Sequence, residues 1–128
     1  MSPSEAISKQ LVIERAEDFV AYYANNASVE TSVWDLRILF GQLDQAVGKV
    51  FQELSVNMPW NLAKLLLFHL QVQVAAFEIQ HGKMKIAAEI IPPPFPPPPD
   101  ELKDNPVFQK VFEAINKIHA DFVKENKE

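Results

Sequence analysis

The stretch Pro59–His81, PWNLAKLLLFHLQVQVAAFEIQH, is apolar over a length that no other part of this 128-residue sequence reaches. Placed on a helix, its apolar residues fall on two separate sides, with narrow polar strips between them. The first side is formed by Ala63, Leu66, Leu67, Leu70, Val74 and Phe77. The second side is formed by Leu65, Phe68, Val72, Ala76 and Ile79. A helix with two apolar sides needs two packing partners.

The flanking residues mark the ends of this central helix. Pro59 suits the first helical turn, where no amide hydrogen bond is lost, and Gly82 suits a C-terminal stop. The helix is therefore predicted over about residues 59–81. Lys64 and Glu78 would be costly in hydrocarbon. We interpret the helix as the core helix of a soluble protein and expect no membrane partner.

The sequence upstream of the central helix alternates between apolar and polar residues with a period of two, which is typical of half-buried strands. Three such runs cover about residues 22–33, 36–43 and 49–58. The segment Asp44–Gly48 supplies turn residues between the second and third runs. Leu39 and Gln52 break the alternation. The pattern predicts an antiparallel meander whose apolar side receives the central helix.

The first residues of the chain carry apolar side chains at spacings of three and four from Ser4 to about Val20, which predicts a helix capped by Ser2 or Ser4. A short strand around residues 11–13 is the alternative. No basic-then-apolar layout typical of a signal peptide is present, so we expect a cytoplasmic protein.

A proline tract, Pro92–Pro99, follows the central helix and reads PPPFPPPP. It predicts a polyproline II rod that spans roughly 25 Å at about 3.1 Å per residue. Asn105 as N-cap and Pro106 as first residue then predict a last helix to about Lys124. Its single apolar stripe consists of Val107, Phe108, Val111, Phe112, Ile115, Ile118 and Phe122. Since the rod cannot fold back on itself, we expect this helix to lie about a domain's width from Ile91.

The predicted fold class is α+β, with the meander over about residues 22–58 packed on one long helix over about residues 59–81, then the proline tract and a C-terminal amphipathic helix. The predicted division is an N-terminal helical segment at residues 1–21 and a core domain at residues 22–91. A proline linker at residues 92–99 and a docking helix at residues 100–128 follow.

Composition excludes several classes of function. Twelve Lys and Arg against 17 Asp and Glu give a net charge of −5, which argues against a nucleic-acid partner. The absence of cysteine removes disulfides, thiolate catalysis and cysteine zinc sites together. His69, His81 and His119 lack metal-ligand spacing. No nucleophile motif or phosphate-binding glycine loop is present, so we expect no catalytic residues, no cofactor and no metal.

Landmarks in the middle of the chain resemble a known family. Tyr23-Ala24-Asn25, Trp34-Asp35, Leu39-Phe40-Gly41, Ala63-Lys64 and the helix end through Phe77-Glu78 to Gly82 are similar to the small bacterial family called domain of unknown function thirty-four sixty-seven. The likeness covers roughly residues 22–86. It departs from the family at the helix start, where Met58 is followed directly by Pro59-Trp60 and Leu62 stands where the family has a histidine. The resemblance implies a bacterial cytosolic α+β module without an assigned activity.

Three functional hypotheses follow, and an enzyme whose site is assembled where two copies meet stays open as a further alternative. The first is a homodimeric interaction module, in which the second side of the central helix contacts a partner copy and the C-terminal helix clasps that copy through Phe108, Phe112, Ile115 and Phe122. The second is a holdase chaperone or adaptor for apolar clients, since strands before a long helix are similar in layout to the export chaperone SecB. The third is a ligand for a proline-reading protein, because Phe95, Pro96, Pro97, Pro98 and Pro99 before Asp100 resemble the ligands of EVH1 domains.

Overall fold

A computed structural model describes residues 10–127, and these residues form an α+β protein, as predicted. The strands are β1 (Asn26–Thr31), β2 (Asp35–Asp44) and β3 (Lys49–Pro59), and the helices are α1 (Trp60–His81) and α2 (Pro106–Asn126). The strands form one antiparallel sheet in the order β1-β2-β3. The chain divides within α1 into two compact units, Met1–Leu65 and Leu66–Glu128.

The sheet in the first unit separates apolar from polar side chains. Pairing of Val29 with Ile38, and of Ile38 with Val56, places apolar residues opposite one another on adjacent strands. We call this side the apolar sheet face; its apolar members are Ala27, Val29, Leu36, Ile38, Phe40, Phe51, Leu54, Val56 and Met58. Met58 is the one buried hydrophobic residue of the described chain, at 6% exposure. Val29 remains 57% exposed and Val56 42% exposed, so much of this face is open.

A β-bulge in β3 explains why the sequence alternation fails at Gln52. Phe40 pairs with Leu54 but Gly41 pairs with Gln52, so Glu53 is an extra residue on β3. An extra residue exchanges the two sides of the strand beyond it. Gln52 consequently lies on the polar side, where its amide donates to Ser28 Oγ at 3.4 Å. Strict alternation would place Val50 on the side of Leu54, but beyond the bulge Val50 pairs with Leu43 and lies on the polar side.

Side-chain hydrogen bonds shape both turns of the meander. Asp44 Oδ1 accepts from the amide of Ala46 at 3.1 Å, and the predicted turn ends at Gly48 with a φ of 70°. Between β1 and β2, Ser32 Oγ accepts from the amides of Trp34 and Asp35, both at 3.1 Å. These local bonds hold the strands in register.

The helix predicted over residues 4–20 is not formed where the structure describes it. Residues 10–25 contain one turn and no helix or strand, so the alternative strand at residues 11–13 is also absent. Residues 4–9 of the prediction lie outside the described residues. Apolar spacing alone misled the prediction, because Leu11, Val12 and Ile13 remain exposed and no described segment packs on them to stabilise a helix.

Both ends of α1 lie close to the prediction. Pro59 is the last residue of β3 rather than the first residue of the helix, and Met58 before it is extended because proline disfavours helical backbone at the preceding residue. Gly82 ends the helix with a φ of 95°, and its amide donates to Glu78 O at 2.9 Å.

The second unit contains α2, whose start is the predicted one. Asn105 Oδ1 accepts from the amides of Val107 at 2.9 Å and Phe108 at 3.4 Å, and Pro106 is the first helical residue. A turn over residues 100–104 reverses the chain after the proline tract. The end of α2 then returns to Ile86, whose amide donates to Asn126 O at 2.6 Å.

Candidate self-association surfaces

α1 is the first candidate surface, because no residue of this helix is buried in the described chain. Nine of its large apolar side chains are 44–86% exposed: Leu62, Leu65, Leu67, Phe68, Leu70, Val72, Val74, Phe77 and Ile79. These side chains lie on both apolar sides of the helix, and exposed apolar patches mark protein–protein or membrane interaction sites. The predicted second side, including Ala76, is among the exposed residues.

The length and composition of α1 would also allow it to cross a membrane. Its 22 residues have a mean hydropathy of 1.4 in the best window, and none of that window is buried. Lys64, His69 and Glu78 interrupt the apolar surface at intervals along the helix, and each is costly in hydrocarbon.

α2 carries the second candidate surface, a stripe with alternating spacings of three and four residues. We call it the heptad stripe; it consists of Phe108, Val111, Ile115, Ile118 and Phe122. Such spacing keeps a seam of apolar residues facing one partner helix. Four members are 43–68% exposed, and Ile115 is half-buried. On the solvated side, Lys117 Nζ donates to Asp121 Oδ2 at 2.9 Å, and this bond raises the pKa of the Lys117 ammonium.

His119, at the edge of the heptad stripe beside Ile115, contacts the proline tract of the same chain. His119 Nε2 lies 2.7 Å from Pro92 O, and the rings of Phe95 and His119 are 6.4 Å apart in an edge-to-face arrangement. Pro98 is half-buried. Residues 92, 95 and 98 share one side of a polyproline II rod, which repeats every three residues. The prediction that α2 lies a domain's width from Ile91 was wrong: the turn at residues 100–104 lets α2 run back along the tract.

Comparison of the sequence with models of known protein families identifies one matching family. The family model described as "Protein of unknown function (DUF3467)" matches residues 2–86, which is more than half of the chain. The chain belongs to the DUF3467 family. This confirms the family resemblance seen in the sequence. No significant match is found among curated proteins, and none among solved structures. The DUF3467 match covers all three strands and α1, whereas the proline tract and α2 lie outside it.

The residues that carry the DUF3467 resemblance have structural roles in this chain. Asn25 Oδ1 accepts from the amide of Leu43 at 2.6 Å, so a side-chain amide extends the β1–β2 ladder. Asp35 Oδ1 accepts from Ser32 Oγ at 2.8 Å within the turn. Gly41 lies opposite the bulge, where an added Cβ would overlap Phe51 O and approach Gln52 Cα at 2.9 Å. These landmarks shape a meander and hold its register.

The three histidines contact aromatic or backbone groups. The His69 ring lies 5.6 Å from that of Phe68, and the His81 ring 4.6 Å from that of Phe77. His119 contacts the proline tract. Among residues 10–127, no group of three or more His, Asp or Glu side chains is arranged to hold a metal ion.

Sequence reasoning missed an open groove at one end of the apolar sheet face. The groove has a volume of about 620 Å³ and is lined by Val20, Tyr22, Ala24, Asn25, Asn26, Ala27, Phe40 and Leu54. Gln42 Nε2 donates to Tyr23 O and fixes the preceding segment beside the sheet. The alternation that predicted a strand from Tyr22 gave no sign of the groove, because its lining depends on where β1 begins.

Proposed function

We propose that this DUF3467 protein is a non-enzymatic, cytoplasmic interaction module that assembles as a homodimer through α1. The observation that carries the proposal is that α1 exposes large apolar side chains on both of its sides, since exposed apolar patches of this kind mark interaction sites. A two-fold dimer is the commonest way to cover such a surface. The predicted contact residues are Leu65, Phe68, Val72, Ala76 and Ile79.

The heptad stripe of α2 supports the second part of the proposal, in which the C-terminal helix holds the partner copy. The proline tract contacts α2 through His119, at the edge of this stripe, and Phe108, Val111, Ile118 and Phe122 remain exposed. Coiled-coil spacing favours a helix as the element that covers them. Because the tract and α2 lie outside the DUF3467 match, this contact would be an addition to the family module.

A holdase or adaptor is the second candidate, and the same exposed surface of α1 favours it. The two candidates differ in what covers the surface: a second copy, or an unfolded client. The third hypothesis, a ligand for a proline-reading protein, is weakened because Phe95, the aromatic anchor such a ligand needs, lies against His119 of its own chain. Pro96, Pro97 and Pro99 are exposed.

Sedimentation of the wild type and of matched variants tests the proposal. Val72→Glu places a charge on the proposed interface, and Gln73→Glu places the same charge on the adjacent polar strip. Burial of an unpaired carboxylate is costly, so we expect Val72→Glu to weaken the dimer at least about tenfold, which is 1.4 kcal/mol, while Gln73→Glu stays dimeric. A wild type that sediments as a monomer at micromolar concentration and binds the apolar dye ANS would favour the holdase instead.

A further inference from the structure

The sheet of the first unit has two edge strands, β1 and β3, because β2 lies between them. The outer side of an edge strand carries N–H and C=O groups without a ladder partner. The described residues of the second unit form helices, the proline tract and a single bridge between Ile86 and Lys127. A helix can cover the face of a sheet, but it cannot pair with an edge. Among residues 10–127, therefore, no further segment extends the sheet, and a pairing strand has to come from a second chain.

The two edges differ in their protection against such pairing. β1 has 6 residues and carries Glu30, and a charged side chain on a short edge strand opposes association. β3 has 11 residues and ends at Pro59, with the bulge at Glu53. A bulge and a proline each interrupt pairing at their own position. The residues between them, 54–58 with the sequence LSVNM, include no charge, proline or glycine, and we call them the β3 edge segment.

The hydrogen bonds of the sheet give the direction of the backbone groups in the β3 edge segment. The amide of Ser32 donates to Asp35 O at 2.9 Å, which continues the β1–β2 ladder. Backbone groups of successive strand residues point to opposite sides, so residues 37 and 39 of β2 bond to β1, and residues 36, 38 and 40 bond to β3. Their partners on β3 are residues 58, 56 and 54. The N–H and C=O groups of Ser55 and Asn57 therefore point away from β2, to the open edge.

The β3 edge segment is complementary to a second copy of itself. In an antiparallel pair with its two-fold axis at Val56, Ser55 lies opposite Asn57 of the second copy, and both residues have outward N–H and C=O groups. Leu54 lies opposite Met58 of the second copy, and the two copies of Val56 meet at the axis. Apolar side chains thus meet on the apolar sheet face and polar side chains on the other side, whereas a shift by one residue would oppose unlike faces.

We infer that two copies of the chain pair antiparallel through the β3 edge segment and form one continuous sheet, with three strands from each copy. The start of α1 leaves this edge free. Trp60 Nε1 donates to Ser32 O at 3.0 Å, so the side chain reaches across the end of β2 to the β1–β2 turn, away from the outer side of β3. The inference goes beyond the proposed function, because it names a contact between copies that does not depend on which surface covers α1.

Disulfide cross-linking tests the pairing. Because the wild-type chain has no cysteine, a variant with one cysteine can form disulfides only between copies. Opposed residues of a non-hydrogen-bonded antiparallel pair have Cα atoms about 4.5 Å apart, which a disulfide can span. We expect mild oxidation to link Val56→Cys chains at least about tenfold faster than Val29→Cys chains, because pairing raises the effective concentration of the thiol.

Val29 is a matched control position for the cross-linking. It lies on the same face of the sheet as Val56 but on the other edge strand, and it is more exposed, at 57% against 42%. Accessibility alone would therefore favour Val29→Cys. Equal or faster linkage of Val29→Cys would overturn the inference.

A proline substitution gives a second readout. The N–H of Ser55 points outward, so Ser55→Pro removes a donor from the pairing without removing a bond within the sheet, and edge strands tolerate proline at such positions. Val29→Pro makes the same change at the outer side of β1. We expect Ser55→Pro to weaken the dimer at least about tenfold in sedimentation, which is 1.4 kcal/mol, with unchanged strand content by circular dichroism, while Val29→Pro stays dimeric. If Ser55→Pro does not fold, the cross-linking rates decide.

The outcomes separate this inference from the proposed function. A wild type that is monomeric at micromolar concentration removes both. A wild-type dimer that is weakened by Val72→Glu but not by Ser55→Pro keeps the α1 contact and refutes the edge pairing. A dimer that is weakened by Ser55→Pro but not by Val72→Glu supports the edge pairing and removes the α1 contact.

Discussion

Gly41 lies directly opposite the bulge of β3, and its missing side chain lets the two backbones approach. We expect Gly41→Ala to lower the free energy of unfolding by about 1–3 kcal/mol, because the added methyl group meets backbone that cannot move aside cheaply. Chemical denaturation at one fixed protein concentration measures the change. Gly48→Asn is the control, since asparagine tolerates the φ of 70° and nothing lies within 4 Å of an added Cβ there. Equal losses in both variants would contradict the close-approach explanation.

Asn105 is the N-cap of α2 and accepts two amide hydrogen bonds. Asn105→Ala is expected to cost about 1 kcal/mol of helix stability, whereas Asn105→Asp keeps an acceptor and should cost little. The loss of ellipticity on heating compares the two variants. If Asn105→Ala leaves the thermal stability unchanged, α2 is held by its packing and needs no cap.

The role of Asn105 can be predicted from the sequence, and the role of Gly41 cannot. Asn105 could be predicted because a cap and the proline after it act within four residues of chain. Gly41 could not be, because its role depends on the register between β2 and β3, and one extra residue at Glu53 changes that register. The groove near Tyr22 was missed for a similar reason.

At the scale of elements, the boundaries of α1 were predictable and its surroundings were not. Pro59, Gly82 and the apolar spacing mark the ends and the period of the helix, but none of them indicates which surface packs on the helix. The antiparallel meander was predicted because alternation and turn residues are local as well. The N-terminal helix was predicted wrongly because an apolar period without a packing surface does not stabilise a helix.

The contact between the proline tract and α2 yields an element-scale prediction. Phe95→Ala removes the ring that meets His119 and should loosen the tract. We expect faster hydrogen exchange at the Ile86 amide, which bonds to the end of α2, and faster proteolysis between Asp100 and Asp104. Pro94→Ala changes an exposed residue of the same tract and is expected to leave both rates within about twofold of the wild type. Unchanged rates in Phe95→Ala would show that the His119 contact does not hold the tract.

At the scale of the whole molecule, association and stability are linked. If a second copy covers α1, unfolding also dissociates the dimer, and the melting temperature rises with protein concentration. We expect a rise of several degrees over a hundredfold range, since each tenfold is about 1.4 kcal/mol. Val72→Glu should show a smaller dependence. Melting temperatures that are independent of concentration in the wild type would indicate a monomer.

Because the proline tract repeats every three residues, its length determines the direction in which Phe95 points. Residues 92 and 95 both contact His119 of α2, Pro98 on the same side of the rod is half-buried, and each added residue turns the rod by about 120°. One proline inserted after Pro94 would rotate the phenylalanine away from His119, whereas three inserted prolines would restore its direction about 9 Å farther along. A one-proline insertion therefore changes the direction of the phenylalanine and a three-proline insertion its position, and we expect both to weaken the contact between Phe95 and His119.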